Sequence, residues 1–444
     1  MTDLTANGFG SWLVDSVSHA DWLDDQRRLS RAQIGEQGIP TSKQEDWRYT
    51  SLKGLLEQCF TPVDETITAL APDDLEDILI PGLDSHRIVL VNGRYAPDLS
   101  MPGEIPKGVR FDSLRTLLDT DPDAVRDHLN RPLSALRAGV EDEPQPLFLA
   151  LNTAGFDDGL VVRLERAAML ERPIELIHLS VGMDEPRVAQ PRHLIILGEG
   201  AQAILIERYV SLGDSIYCTN AVLDISLGCD AILRHERIQM ESANAFHLTG
   251  LYLNQDAGSH YQGVNIGLGA RWSRTDLVTD FRGEHARCEL QGLYLAGDRQ
   301  FMDYHLDVTH SVPRCTSREN FKGILYGRGR AVFDGNVVVA RHAQKSDAAM
   351  SNRNLMLSES AEVDTKPQLD IHADDVKCSH GTTVGQLEPE MLFYLRSRGI
   401  SAALARRMLC LGFAGEIIQT LSSELLREHV SGQVGQRLES APLD

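Results

Sequence analysis

The chain has 444 residues, 42% hydrophobic and 24% charged, an ordinary soluble composition with enough apolar residues for a sizeable core and two or three domains. A formal charge of −21 argues against a nucleic-acid backbone or an anionic membrane as the main partner and favours a protein. Met1 to Gly8 lacks the basic and apolar regions of a secretory signal, and no apolar run reaches membrane-spanning length, so a cytoplasmic protein is expected.

In chain order, residues 1–82 read as a helical, loop-rich domain. Trp12, Leu13, Val14, Trp22 and Leu23 sit among polar residues, and Leu52, Leu55 and Leu56 recur at helical spacing. Between them Pro40 to Thr50 is a polar connector whose Trp47 and Tyr49 would anchor the helical region on the next domain. From His86 short β runs begin, starting with Ile88 to Gly93, with helix-like interludes near Leu114 to Leu136. Beyond about Pro173 the chain is almost wholly β, in runs such as Leu194 to Leu197, Ala203 to Ile206, Ala221 to Ile225 and Val337 to Val339.

Turn signals begin at Gly198, Gly228, Asp256, Gly283, Gly327 and Ser358; most lie roughly 25 to 31 residues apart, with one gap nearer 44. Such spacing predicts a parallel β-helix over residues 83–368, in which each coil buries its apolar face against the next. A sandwich or propeller fits less well, because hairpin turns are sparse and Asp334-Gly335 is a rare instance. The open ends of a solenoid invite pairing with other chains, and helical caps at both ends would answer that. Residues 369–444 read as a C-terminal helical domain. Pro389 suits a first helical turn, Gly399 a stop and Ser401 the cap of a second helix. Leu404, Met408, Leu411, Gly415, Ile418, Leu421 and Leu425 then form an apolar stripe, read either as core or as a groove for a partner helix.

Cys378 and His380, two apart on an extended run, share one face and could offer sulfur and nitrogen to one iron, zinc or copper ion, with further ligands from elsewhere or from another chain. The bland alternative is a packed Cys and a hydrogen-bonded His. The seven cysteines include no C-x-x-C pair, so no disulfide framework or autonomous ferredoxin motif is present, and Cys218, Cys229, Cys288 and Cys315 read as core or turn residues or as sulfur carriers inside the solenoid. His305 and His310 read as surface or ladder residues. Without a P-loop, H-E-x-x-H or G-x-S-x-G, the chain must borrow any ATP hydrolysis. The remaining enzyme reading is a β-helix carbohydrate-active enzyme using carboxylates such as Asp276 and Asp280 along the groove.

Three stretches, Leu355 to Ile371 with its Lys366-Pro367-Gln368-Leu369 core, Val376 to Gly385 and Leu392 to Gly399, resemble the SufB/SufD family of iron–sulfur cluster assembly proteins in continuous register. Pro40 to Thr50 and Val89 to Tyr95 are similar to the branch of that family that pairs with SufB, and oppose assignment to the SufB branch. The resemblance implies a mainly β protein, a right-handed parallel β-helix with helical domains at both ends. It implies a non-catalytic scaffold subunit that pairs with SufB through the β-helix and docks the SufC ATPase through its C-terminal helices; exposed edge strands would also allow a homodimer when SufB is absent. His380 matches the family histidine at the nascent, transient Fe–S cluster shared with SufB, and Cys378 the cysteine beside it. Phe393, Tyr394, Arg396, Arg398 and Glu416 become candidate SufC contacts, the charged ones reading equally as a solvated face. No nucleotide is expected on this chain. A metal-free β-helix adaptor stays open as an alternative function.

Overall fold

Residues 8–13, 20–63, 70–129, 145–182 and 184–441 are described by the computed structural model; Val14 and the expected helix beyond residue 129 lie outside them. From Leu160 to Gly385 the chain alternates between two sheets, one strand in each per coil. The first sheet runs Leu160–Leu164, Arg192–Leu197, Tyr217–Leu227, Phe246–Gln255, Trp272–Phe281, Phe301–His310, Arg330–Val339 and Glu362–Ile371. The second runs Ile174–Val181, Gln202–Leu212, Ile232–Gln239, His260–Gly267, Arg287–Ala296, Thr316–Leu325, Asp347–Met356 and Lys377–Gly385. All these neighbours pair in parallel, the pattern of a β-helix.

One position recurs 26 residues later between Phe246 and Trp272 and 33 later between Val161 and Leu194, which brackets the coil length. The 44-residue gap has a simple origin. Turns at Gly198, Gly228, Asp256 and Gly283 lead from the first sheet to the second, whereas those at Gly327 and Ser358 lead back, so the gap spans one coil and a half. Asp334-Gly335 is no turn; it lies within Arg330–Val339, where a side chain at Gly335 would collide with Met350 Sδ. The hairpin signal that does act is Asn92-Gly93, with φ of 49° and 85°, joining His86–Val91 to Arg94–Tyr95.

Alternation sends Ile195, Ile225, Leu253, Val308 and Val337 of the first sheet into the lumen in one column, aliphatic except where Thr279 stands between Leu253 and Val308. The outer faces are also apolar. Outside the second sheet, Ile238, Ile266, Leu293 and Ile324 receive Ala414, Ile417 and Ile418 of the helix Ala402–Ile418 and Val430 and Val434 of Glu424–Ser440. Outside the first, Phe246, Leu248 and Trp272 receive Trp12, Ile34, Leu55 and Phe60 of the N-terminal region. Burying one such side chain contributes about 1.5–3 kcal/mol. The helices therefore lie along the flanks of the solenoid rather than across its ends, contrary to the expected caps, because that is where the apolar surface is.

The β-helix also runs further than expected: a boundary at residue 368 falls inside Glu362–Ile371, and the ladder ends at Gly385. Pro389 opens the helix Pro389–Ser397, Gly399 stops it at φ 86°, and Ser401 Oγ accepts from Leu404 N–H to cap the next helix. No helix among the described residues is long and apolar enough to cross a membrane.

Candidate site at the open end of the solenoid

Lys377–Gly385 is the last member of its sheet and, among the described residues, pairs only with Asp347–Met356. Cys378 lies opposite Ala348 and His380 opposite Met350, and both of those partners are buried in the lumen core. Cys378 and His380 thus occupy the inner face of the last coil, and Cys378 is half-buried and His380 exposed because no further coil covers them. Thr365 Oγ1 and Thr382 Oγ1, 3.0 Å apart, bridge the two sheets across this mouth.

Burial pushes the Cys378 thiol up, only partly offset by the Ala348 backbone, so the sulfur carries its proton at neutral pH. It becomes a thiolate ligand only when a metal displaces that proton. Among the described residues no third ligating group joins Cys378 and His380 into a cluster with metal-like geometry. The outer edge of the terminal strands, free of a further coil, presents backbone donors and acceptors to an incoming strand.

Next to it, Pro389–Ser397 buries none of its residues. Phe393 is 74% exposed and Tyr394 57%, and the Arg398 guanidinium sits 5.2 Å from the Tyr394 ring. Arg396 lies in the last turn of the same helix. Glu416 behaves differently from the contact expected of it: its carboxylate accepts from Lys322 Nζ and Arg353 Nη2, each at 2.7 Å, and ties its helix to the second sheet. The expected stripe is also corrected. Ile418 and Leu421 are core, but Leu404, Met408 and Leu425 are exposed, because the helix rests on its Ala405, Cys410, Ala414 and Ile417 edge.

Of the other residues singled out, Cys218, Cys288 and Cys315 are buried and Cys229 is exposed in a turn. His305 and His310 are both ladder residues: His310 is buried in the lumen, whereas His305 is only partly buried, on the outer face of the first sheet where it lines a cleft. Asp276 is held by Arg274, and Asp280 by Ser311 and Arg282, so the two carboxylates serve separate local pairings instead of one acid–base pair.

Sequence reasoning missed a buried polar column in the first coils, although its period-two signature is visible in Glu207-x-Tyr209, His235-x-Arg237 and His247-x-Thr249. His178, His193 and Glu207 place ligating atoms within 4.8 Å of one another. The donor set does not suit a metal. Leu160 N–H donates to His193 Nδ1 at 2.9 Å, so the proton of this imidazole, kept neutral by burial and by His178 with its pKa lowered to about 3, sits on Nε2. Glu207 already accepts from Tyr209 Oη at 2.7 Å and lies 3.1 Å from His235 Nε2. Burial would raise its pKa, but His178 and His235 outweigh that and hold the carboxylate well below its usual range. The column is a hydrogen-bonded brace between the two sheets.

The family described as SUF system FeS cluster assembly, SufBD core domain, matches residues 179–413, and that described as SufBD protein N-terminal region matches residues 14–176. The chain is 35% identical to the iron–sulfur cluster assembly protein SufD of Escherichia coli, over 91% of each chain. It is 32% identical to an iron–sulfur cluster assembly SufBD family protein of Synechocystis, over 90% of this chain and 87% of that one. It is 30% identical to the chloroplastic protein ABCI7 of Arabidopsis thaliana, over 89% and 82%.

Proposed function

The chain belongs to the SufBD family, and from that premise we propose that it is a SufD-type, non-catalytic subunit of the SUF iron–sulfur cluster scaffold. The observation that carries this reading is the open terminal coil, which exposes an unfinished Cys378/His380 donor pair beside an unpaired strand edge. A second subunit of similar architecture, SufB, would add its terminal strands to that edge and bring the thiolate that this chain lacks. The nascent Fe–S cluster is the cargo of that interface, with His380 as ligand or polar partner and Cys378 beside it.

The uncovered helix Pro389–Ser397 is the docking surface for SufC, with Phe393 and Tyr394 as apolar anchors and Arg396 and Arg398 as charged neighbours. ATP hydrolysis then belongs to SufC, since the sequence holds no P-loop. Closure of two SufC copies would displace the helical domains, and a solenoid whose coils each contact their neighbours transmits that displacement to its mouth.

Purification of the tagged chain expressed with SufB and SufC tests the assembly. Recovery of both in one complex is expected, with SufC lost and SufB retained on Phe393→Ala plus Tyr394→Ala. A chain that purifies alone, or as a homodimer in the presence of SufB, would contradict it. A metal-free adaptor is the outcome if the complex forms but loads iron equally with and without His380.

A further inference from the structure

The motif segment Pro40 to Thr50 and the Lys366-Pro367-Gln368 motif, more than three hundred residues apart in sequence, meet on the outer face of the first sheet. The segment crosses successive coils and touches them at separate points. Trp47 stacks 4.2 Å under the Arg274 guanidinium, whose Nη1 donates to Asp46 O at 3.2 Å. Thr50 Oγ1 donates to the buried Asp303 at 2.6 Å, one coil further on. Glu45 Oε1 accepts from Lys366 Nζ at 2.8 Å on the last coil, and Lys366 also lies 3.4 Å from Asp334 on the coil before it. A cleft of about 770 Å³ lies between residues 37–47 and the sheet, so the segment spans the coils and rests on them at these anchor points.

We infer that Pro40–Thr50 is a strap whose Glu45–Lys366 ion pair positions the terminal coil, and through it Cys378 and His380. Every earlier coil is clamped between two neighbours, but the last has one, and correspondingly its strand Glu362–Ile371 is mostly half-buried and Lys377–Gly385 mostly exposed. The strap supplies a second hold. Lys366 faces the strap while the adjacent Thr365 faces the lumen and meets Thr382, two residues from His380 on the same strand face. Trp47 and Thr50 are anchored by buried partners, whereas Glu45 is held by an exposed pair, so the end nearest the site is the one that lets go.

Hydrogen exchange of the full chain, read in peptides covering 362–371 and 377–385, tests this with wild type, Glu45→Gln and the strap control Lys43→Gln. Glu45→Gln is expected to speed exchange in both peptides about two- to fivefold, the size of an exposed ion pair, and to leave strands 218–310 unchanged. Raised salt should speed exchange at the last coil in wild type and Lys43→Gln and do so less in Glu45→Gln, where the Arg330–Glu362 and Lys366–Asp334 pairs are what remains to be screened. Unchanged exchange at the last coil, or an equal rise in all coils, would overturn the strap. Its bearing on cluster assembly rests on the role proposed for His380: faster exchange in Glu45→Gln with normal iron loading in His380→Ala would leave the strap standing and remove that role.

Discussion

At the residue scale the alternation of a β-strand does most of the functional placement. Cys378 and His380 inherit the inward face of Ala348 and Met350; that they share a face was legible from their two-residue spacing, but which face was not. That they would be open to solvent was not, because openness depends on where the stack of coils stops. Two coils below, Glu319 stands in the same ladder column as His380, separated by Met350. Its carboxyl is fully buried and pushed up to about 8 by desolvation. In the unfolded chain it ionises near pH 4.5, so between that pH and 8 the folded state binds the extra proton and stability falls as pH rises. Glu319→Gln should abolish this loss, worth on the order of a few kcal/mol, in urea unfolding at pH 5 and pH 8.5. The same slope in wild type and variant would show that Glu319 is ionised in the fold.

At the scale of elements, the C-terminal helices divide into one that is used up by the fold and one that is not. Glu416 secures Lys322, whose ammonium also donates to Phe413 O and lies 4.3 Å from the Phe413 ring. Glu416→Ala leaves two cations without their carboxylate and should destabilise the chain by about 1–3 kcal/mol in denaturant unfolding. Phe393→Ala should leave the unfolding midpoint within error and instead weaken capture of SufC about tenfold or more, as loss of an exposed aromatic anchor does. If Phe393→Ala unfolded early, its ring would be core and the docking assignment would fail. The sequence stripe misjudged this division because Leu404 and Met408 satisfy helical spacing as well as Ala405 and Ala414 do; only the apolar outer face of the second sheet decides which edge is buried.

For the whole molecule, turn spacing revealed a solenoid because each coil repeats one construction problem, and even the 44-residue irregularity encodes the second row of turns. The position of the helices was not legible. Ile232–Gln239 carries charged residues on both faces, with Glu236 and Arg237 both buried, and Arg287–Ala296 turns apolar on its outer face only at Leu293 and Leu295, so the period-two signal is blurred and nothing marks the outside as covered. The C-terminal boundary was missed because Glu362–Ile371 and Lys377–Gly385 carry polar residues on strands that are half-covered or open, so no apolar run marks them as coils. That polar, uncovered coil is what a partner of the same architecture can complete, while the flank helices leave it accessible. The most direct measurement is iron and acid-labile sulfide bound after anaerobic reconstitution of the purified complex with SufB and SufC, for wild type and His380→Ala. A complex of unchanged composition that loses its cluster in the variant is the result expected. Equal loading in both would contradict the placement of cluster assembly at the open coil.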